Sequence, residues 1–145
     1  RSRQADPRSA PWPAGEPDLV LVDTTWGELQ PMTIAEGVRT VGELEVIDLV
    51  EHGAVLVDTR TPGSFNGVTL PGSVLLPHDV IVERRAELDP DRLAVLFCNG
   101  PQCPQSPDAI RQLLAAGVPA STLAYYRGGL HDWVTVALPT EPRED

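Results

Sequence analysis

The sequence predicts an α/β fold in which a mostly parallel central sheet is flanked by helices. Three observations predict it. Short, continuous apolar runs at residues 54–57 (AVLV), 93–97 (LAVLF) and 122–126 (TLAYY) have the length and composition of strands buried on both faces. Segments with helical spacing alternate with these runs, as a parallel sheet requires. The chain has 145 residues, 41% hydrophobic and 22% charged, which suffices for one soluble domain with a full core.

Taken in order, residues 1–17 are rich in Pro, Arg, Ser and Ala and lack periodicity, the composition of a flexible arm. Residues 18–40 form an amino-terminal extension expected to pack on the domain. Within it, residues 19–24 (LVLVDT) resemble residues 54–59 (AVLVDT), but the similarity stops there. The run is read as an extra edge strand, with Trp26 packing against the domain, and not as an internal repeat. Residues 41–51 (VGELEVIDLVE) place Val41, Leu44, Ile47 (or Asp48) and Val50 on one helical face, closed by Gly53. His52 ends that helix, where a cation suits the dipole.

The strand at 54–57 runs into a polar loop at 58–63. A turn at 70–73 (LPGS) precedes a third short strand at 74–76. Residues 78–88 read as polar and partly helical, with His78 in a turn and Arg84 and Arg85 facing solvent. After the strand at 122–126, Gly128 and Gly129 lead into a short helical stretch carrying Trp133. The domain spans 41–140, and residues 141–145 read as an acidic tail.

The segment at 93–117 (LAVLFCNGPQCPQSPDAIRQLLAAG) organises the chain. A buried strand ends at Cys98. A loop of Asn, Gly, Pro and Gln follows, holding Cys103. Ser106, Pro107 and Asp108 then read as N-cap, first helical position and first turn of a helix. Ile110, Leu113 and Leu114 supply its buried face, and Gly117 stops it. A thiol between a strand's carboxyl end and a helix N-terminus sits among unpaired amide hydrogens and the positive end of the helix dipole. Both favour thiolate, so its pKa should fall below about 8.5, and the loop can curl its amides into an anion nest. In parallel sheets, sites form beyond the carboxyl ends of the strands. Asp58 with Arg60, Cys98, and Arg127 with Gly128 and Gly129 all follow strands and should converge there.

Three segments resemble the rhodanese-like (sulfurtransferase) domain family, over about residues 41–140. Val57-Asp58-Thr59-Arg60 through Phe65, with Leu70-Pro71-Gly72-Ser73-Val74 and Pro77, looks like the family's first motif. Phe97-Cys98 opens a loop like its active-site loop. Gly128-Gly129-Leu130-His131-Asp132-Trp133 with Leu138-Pro139 looks like its carboxyl-terminal motif. The resemblance implies a three-layer rhodanese-like fold. It further implies a sulfurtransferase that moves a sulfane sulfur from thiosulfate or a persulfide to a thiol or cyanide, through a persulfide on Cys98. The backbone amides of Asn99, Gly100, Pro101, Gln102, Cys103, Pro104, Gln105 and Ser106 match the persulfide cradle. Asp58, Arg60, Arg127, Gly128, Gly129 and Trp133 match supporting positions. Partners would be a small-molecule sulfur donor and a thiol acceptor, or a protein acceptor of sulfur, with no cofactor and no metal.

The sequence departs from the family pattern. Asn99 and Cys103 stand where the family loop commonly carries Arg or Ser/Thr, and Thr69 replaces the usual His before the Pro-Gly turn. The loop ends at Cys103 by one alignment and two residues later by another. Cys103 opens a rival, in which the pair forms a disulfide and the protein is a thiol–disulfide enzyme or sensor. A smaller alternative makes Cys103 the nucleophile, and a third makes the domain a non-catalytic binding module. A phosphatase loop fails for want of an Arg six residues after either cysteine, where Pro104 and Ala109 stand. Two cysteines without nearby His do not make a metal site. His131 could face the site.

The net charge of −10 argues against nucleic acid and anionic membranes, whose phosphates it repels. All eleven basic residues are Arg, a compositional bias. No apolar run approaches the roughly 18 residues of a spanning helix. Two cysteines that read as reactive favour a cytoplasmic setting, with export behind a removed signal sequence as the alternative.

Overall fold

The computed structural model describes residues 2–4, 12–13, 20–22 and 29–144. In chain order the elements are β1 (Ser2–Gln4), β2 (Trp12–Pro13), β3 (Val20–Val22), β4 (Arg39–Val41), α1 (Glu43–Glu51), β5 (Val55–Asp58), β6 (Gly67–Thr69), β7 (Val74–Leu75), β8 (Ala94–Phe97), α2 (Gln105–Ala115), β9 (Leu123–Tyr126), α3 (Gly129–Thr135) and β10 (Glu141–Arg143). The main sheet has the order β4-β9-β8-β5-β7, and every pairing in it is parallel.

Strand β8 lies at the centre, with Leu96 opposite Val57 on one side and Tyr125 on the other. Because strand side chains alternate, its residues feed two cores. Ala94 and Leu96 pack with Ala109, Ile110 and Leu113 of α2. Val95 and Phe97 pack with Val46 of α1 and with Leu130 and Trp133 of α3. The fold is therefore three layers, with α2 on one face and α1 with α3 on the other. All four residues of β8 are buried, and each large one contributes roughly 1.5–3 kcal/mol by leaving water.

The helix expected at 41–51 starts two residues later, because Val41 is taken by β4. Two members of the expected face point outward: Leu44 is 83% and Val50 40% exposed. Val46 is buried instead, with Ile47 and Leu49 against the same core. His52 is the C-cap, its Nδ1 2.8 Å from the Asp48 carbonyl oxygen. The stretch at 78–88 is turns and one 3-10 turn at Arg85–Glu87, anchored by fully buried Ile81.

Strand β3 is not an edge strand of the main sheet. It is the middle of a separate three-stranded sheet, parallel to β1 and antiparallel to β2. Trp26, expected against the domain, lies outside the described residues. Further along the extension, Val38 enters the α2-side core, with Ile34 and Ala35 packed on it. The segment read as an acidic tail contains β10, which pairs antiparallel with β6. No described helix is long and apolar enough to cross a membrane.

Candidate active site

The carboxyl ends of β5, β8 and β9 bring Asp58, Cys98 and Arg127 to one edge of the sheet. Cys98 follows β8 directly and is 2% exposed. Helix α2 begins at Gln105 with Pro104 as its N-cap, so Ser106 is not the cap and Pro107 is not the first helical residue. Ser106 instead lies in the first turn, where its free amide hydrogen is spent on sulfur: Ser106 N donates to Cys98 Sγ at 3.4 Å. The earlier start also fixes the loop at its shorter length, running from Cys98 to Cys103 before the cap.

The loop is held from three directions. Beneath it, the Thr59 hydroxyl lies 2.8 Å from Ser106 Oγ and donates to the Phe97 carbonyl at 3.0 Å. To one side, the Arg60 guanidinium is fully buried, doubly bonded to Asp58, and donates to Asn99 Oδ1 at 3.0 Å. Asn99 Nδ2 donates in turn to the Ser64 carbonyl at 2.8 Å, and Gln105 Nε2 to Ser64 Oγ at 3.0 Å. Thr69 donates to Asp58 Oδ2 at 2.9 Å and touches Ser73 Oγ, so it completes the Asp58 shell. From the other side comes α3. The amides of Leu130 and His131 donate to the carbonyls of Cys98 and Asn99 at 3.0 and 2.8 Å. These bonds occupy the Cys98 and Asn99 carbonyls; the Cys103 carbonyl faces the sulfur and accepts from the Cys98 thiol at 3.5 Å. Gly129 makes the approach possible: φ is +55°, and a side chain there would overlap the Cys98 carbonyl oxygen.

Burial pushes the Cys98 thiol up, but hydrogen bonds outweigh it and bring the pKa down to about 7. The donors are the Cys103 thiol, the Ser106 hydroxyl, and the amides of Ser106 and Gly100. Cys103, 1% exposed, moves upward, first through its bond to Cys98 and then through burial. Its own sulfur receives the amides of Gln105 and Asn99. Both thiols are free.

The expectation that every loop amide serves the cradle needs correction. Pro101 and Pro104 have no N–H. The Pro101 carbonyl accepts from Gln30 N at 2.7 Å, and the Cys103 amide closes a turn to the Gly100 carbonyl at 3.0 Å. The amides that meet sulfur are those of Asn99, Gly100, Gln105 and Ser106. Arg127 holds the Gln30 carbonyl at 3.0 Å, so the extension is fastened to this edge twice. Trp133 packs edge-on against Tyr126 and donates to the Pro139 carbonyl at 2.7 Å, which makes it a core residue. His131 Nδ1 meets Asp132 Oδ1 at 2.9 Å, and His78 Nδ1 meets Asp108 Oδ2 at 2.6 Å.

Thr59, Ser64 and Gln30 were not singled out from the sequence. Thr59 stood inside the Asp58–Arg60 motif and could have been. Ser64 and Gln30 act through contacts distant in sequence, which no local pattern reports. Open hollows of about 340 and 480 Å³ lie at the opposite edge, among residues at the amino ends of β8, β9, β4 and β5. The thiol site is a backbone cradle and not one of these hollows.

A parallel three-layer α/β domain with a cysteine cradled between a central strand and a helix defines a class of thiol-bearing domains. Within it, the rhodanese-like domain family model matches residues 44–135, and the chain belongs to that family. The chain is 33% identical over 98 residues to the HTH-type transcriptional regulator Rv0324 of Mycobacterium tuberculosis, covering 67% of this chain and 42% of that protein. It thus spans under half of that relative's length. Among solved structures, thiosulfate sulfurtransferase from Pseudomonas aeruginosa superposes with a TM-score of 0.58 at 26% identity, covering 72% of this chain and 20% of the other. A full-length protein from Lactobacillus plantarum gives 0.62 at 21% identity, covering 72% and 88%, and shows the fold alone.

Proposed function

We propose that this domain is a sulfurtransferase in which Cys98 takes a sulfane sulfur and passes it to a thiol. The observation that carries this is the sulfur of Cys98 receiving the amides of Gly100 and Ser106, with a pKa of about 7. At neutral pH a large share of Cys98 is thiolate, the nucleophilic form. It attacks the outer sulfur of thiosulfate or a persulfide, forms the new S–S bond, and expels sulfite or a thiolate. The amide ring then holds the anionic outer sulfur as it held the thiolate. A thiol acceptor attacks that outer sulfur and restores the Cys98 thiolate. Arg60 supports the loop through Asn99 and does not reach the sulfur, so it acts as a positioning residue.

Intact-mass measurement after mixing with thiosulfate or glutathione persulfide tests the reading. A gain of about 32 Da, one sulfur, is expected in the Cys103→Ser variant and not in Cys98→Ser. A gain that survives Cys98→Ser would overturn it. A second reading, a sensing module without turnover, draws on the likeness to a transcriptional regulator. It predicts the same adduct, with no catalytic transfer to a thiol acceptor over many cycles.

A further inference from the structure

The amide ring of this loop holds two sulfurs. Cys103 sits at the end of the same loop, and its amide bond to the Gly100 carbonyl folds it back over Cys98. The Cys98 thiol donates to the Cys103 carbonyl oxygen at 3.5 Å, and the Cys103 side chain is among the neighbours that act on the Cys98 sulfur. The ring donors are shared out, Gly100 and Ser106 to one sulfur, Asn99 and Gln105 to the other. A persulfide's outer sulfur has to share this ring with Cys103. Both thiols are almost wholly enclosed, so the nearest acceptor for a persulfide is in the protein itself. Held neighbours react with effective concentrations far above those of free thiols.

We propose that Cys103 is a second reacting thiol, which attacks Cys98 Sγ of the persulfide, closes a Cys98–Cys103 disulfide and releases hydrosulfide. The proposal rests on Cys98 accepting a sulfane sulfur, as argued above. The step is balanced without an outside oxidant. The persulfide anion takes the Cys103 proton on its outer sulfur. The Cys103 thiolate forms the new S–S bond at Cys98 Sγ, and the old S–S bond breaks with its electron pair leaving on HS⁻. The sulfane sulfur is reduced and Cys103 is oxidised. Two equivalents of an external thiol then reduce the disulfide and reset the pair. The domain would thereby convert sulfane sulfur to sulfide, an activity distinct from passing it on.

The test uses the reduced full chain, freed of small thiols and mixed separately with thiosulfate and glutathione persulfide, followed by intact mass and sulfide release. Wild type should lose about 2 Da relative to the reduced chain and release one equivalent of sulfide, while Cys103→Ser gains about 32 Da and releases none. Cys103→Ala serves as a second variant should the serine disturb the loop. Wild type that keeps the 32 Da adduct and releases no sulfide overturns the role of Cys103 and leaves the transfer reading standing. No adduct in either Cys103 variant and no mass loss in wild type, with both donors, overturns the transfer reading itself.

Discussion

At the scale of single residues, two buried charges matter most. The first is the Cys98 thiolate. Its pKa of about 7 predicts that thiolate absorbance in the ultraviolet titrates near neutrality. Cys103→Ala removes a donor and should move the midpoint up, toward the ordinary thiol value of about 8.5. Ser106→Ala keeps the amide and should move it less. The native Cys98 gives up its proton earlier than the unfolded chain, so its contribution to stability is present above about 8.5 and is lost as pH falls through about 7. Cys103, shifted upward, works the other way: its contribution is whole below about 8.5 and shrinks as pH rises further. A midpoint near the ordinary value in wild type would show that the ring does not favour the anion.

The second charge is Arg60, enclosed with Asp58 at 2.9 Å and with both residues fully buried. Removing one partner of such a pair leaves the other charge uncompensated, at a cost of about 3–5 kcal/mol. Asp58→Ala should lower the urea-derived unfolding free energy by that order. Because Arg60 also grips Asn99, the variant should loosen the loop and raise the Cys98 midpoint. A stable Asp58→Ala protein would sink the view that this pair braces the domain.

At the scale of elements, the site is a junction of β8, α2 and α3. Gly129 shows how closely they meet, since its φ of +55° disfavours any side chain and its neighbour across the junction is the Cys98 carbonyl. A left-handed backbone costs roughly 1–3 kcal/mol for other residues, and the overlap adds to it. Gly129→Ala is expected to lower thermal stability and to abolish the depressed Cys98 pKa together, since both depend on α3 seating its first amides on the loop. Gly63→Ala is the control: a methyl there meets no atom within 4 Å, and stability should hardly change.

At the scale of the whole molecule, the strands that carry the site were legible because each is a short apolar run buried on both faces. Residues 54–57 and 93–97 sit within a residue of the observed β5 and β8. The loop between Cys98 and α2 was legible in composition but not in length, since Ser-Pro-Asp is a good helix start and Pro104-Gln105 is a poorer one. Tertiary contact decided it: Ser106 was needed against sulfur. Long-range pairing was not legible at all. Leu44 matched the helical period of α1 yet is exposed, while Val46 of the same helix fills the core beside Val41. Glu141–Arg143 looked like solvent-facing polarity but pairs with β6. Arg143 Nη2 donates to the Ser73 carbonyl and hydroxyl at 3.1 and 3.0 Å. Ending the chain after Thr140 should therefore destabilise the domain by about 1–3 kcal/mol in urea unfolding, through lost strand bonds and these two. An unchanged midpoint would mean that β10 is only laid on the surface.

What α3 grips at the site is main chain, the oxygens of Cys98 and Asn99, and every amino acid carries those atoms. That grip is thus blind to the side chains of Cys98 and Asn99 themselves. Two proteins with this scaffold could share one reactive centre yet welcome quite different visitors.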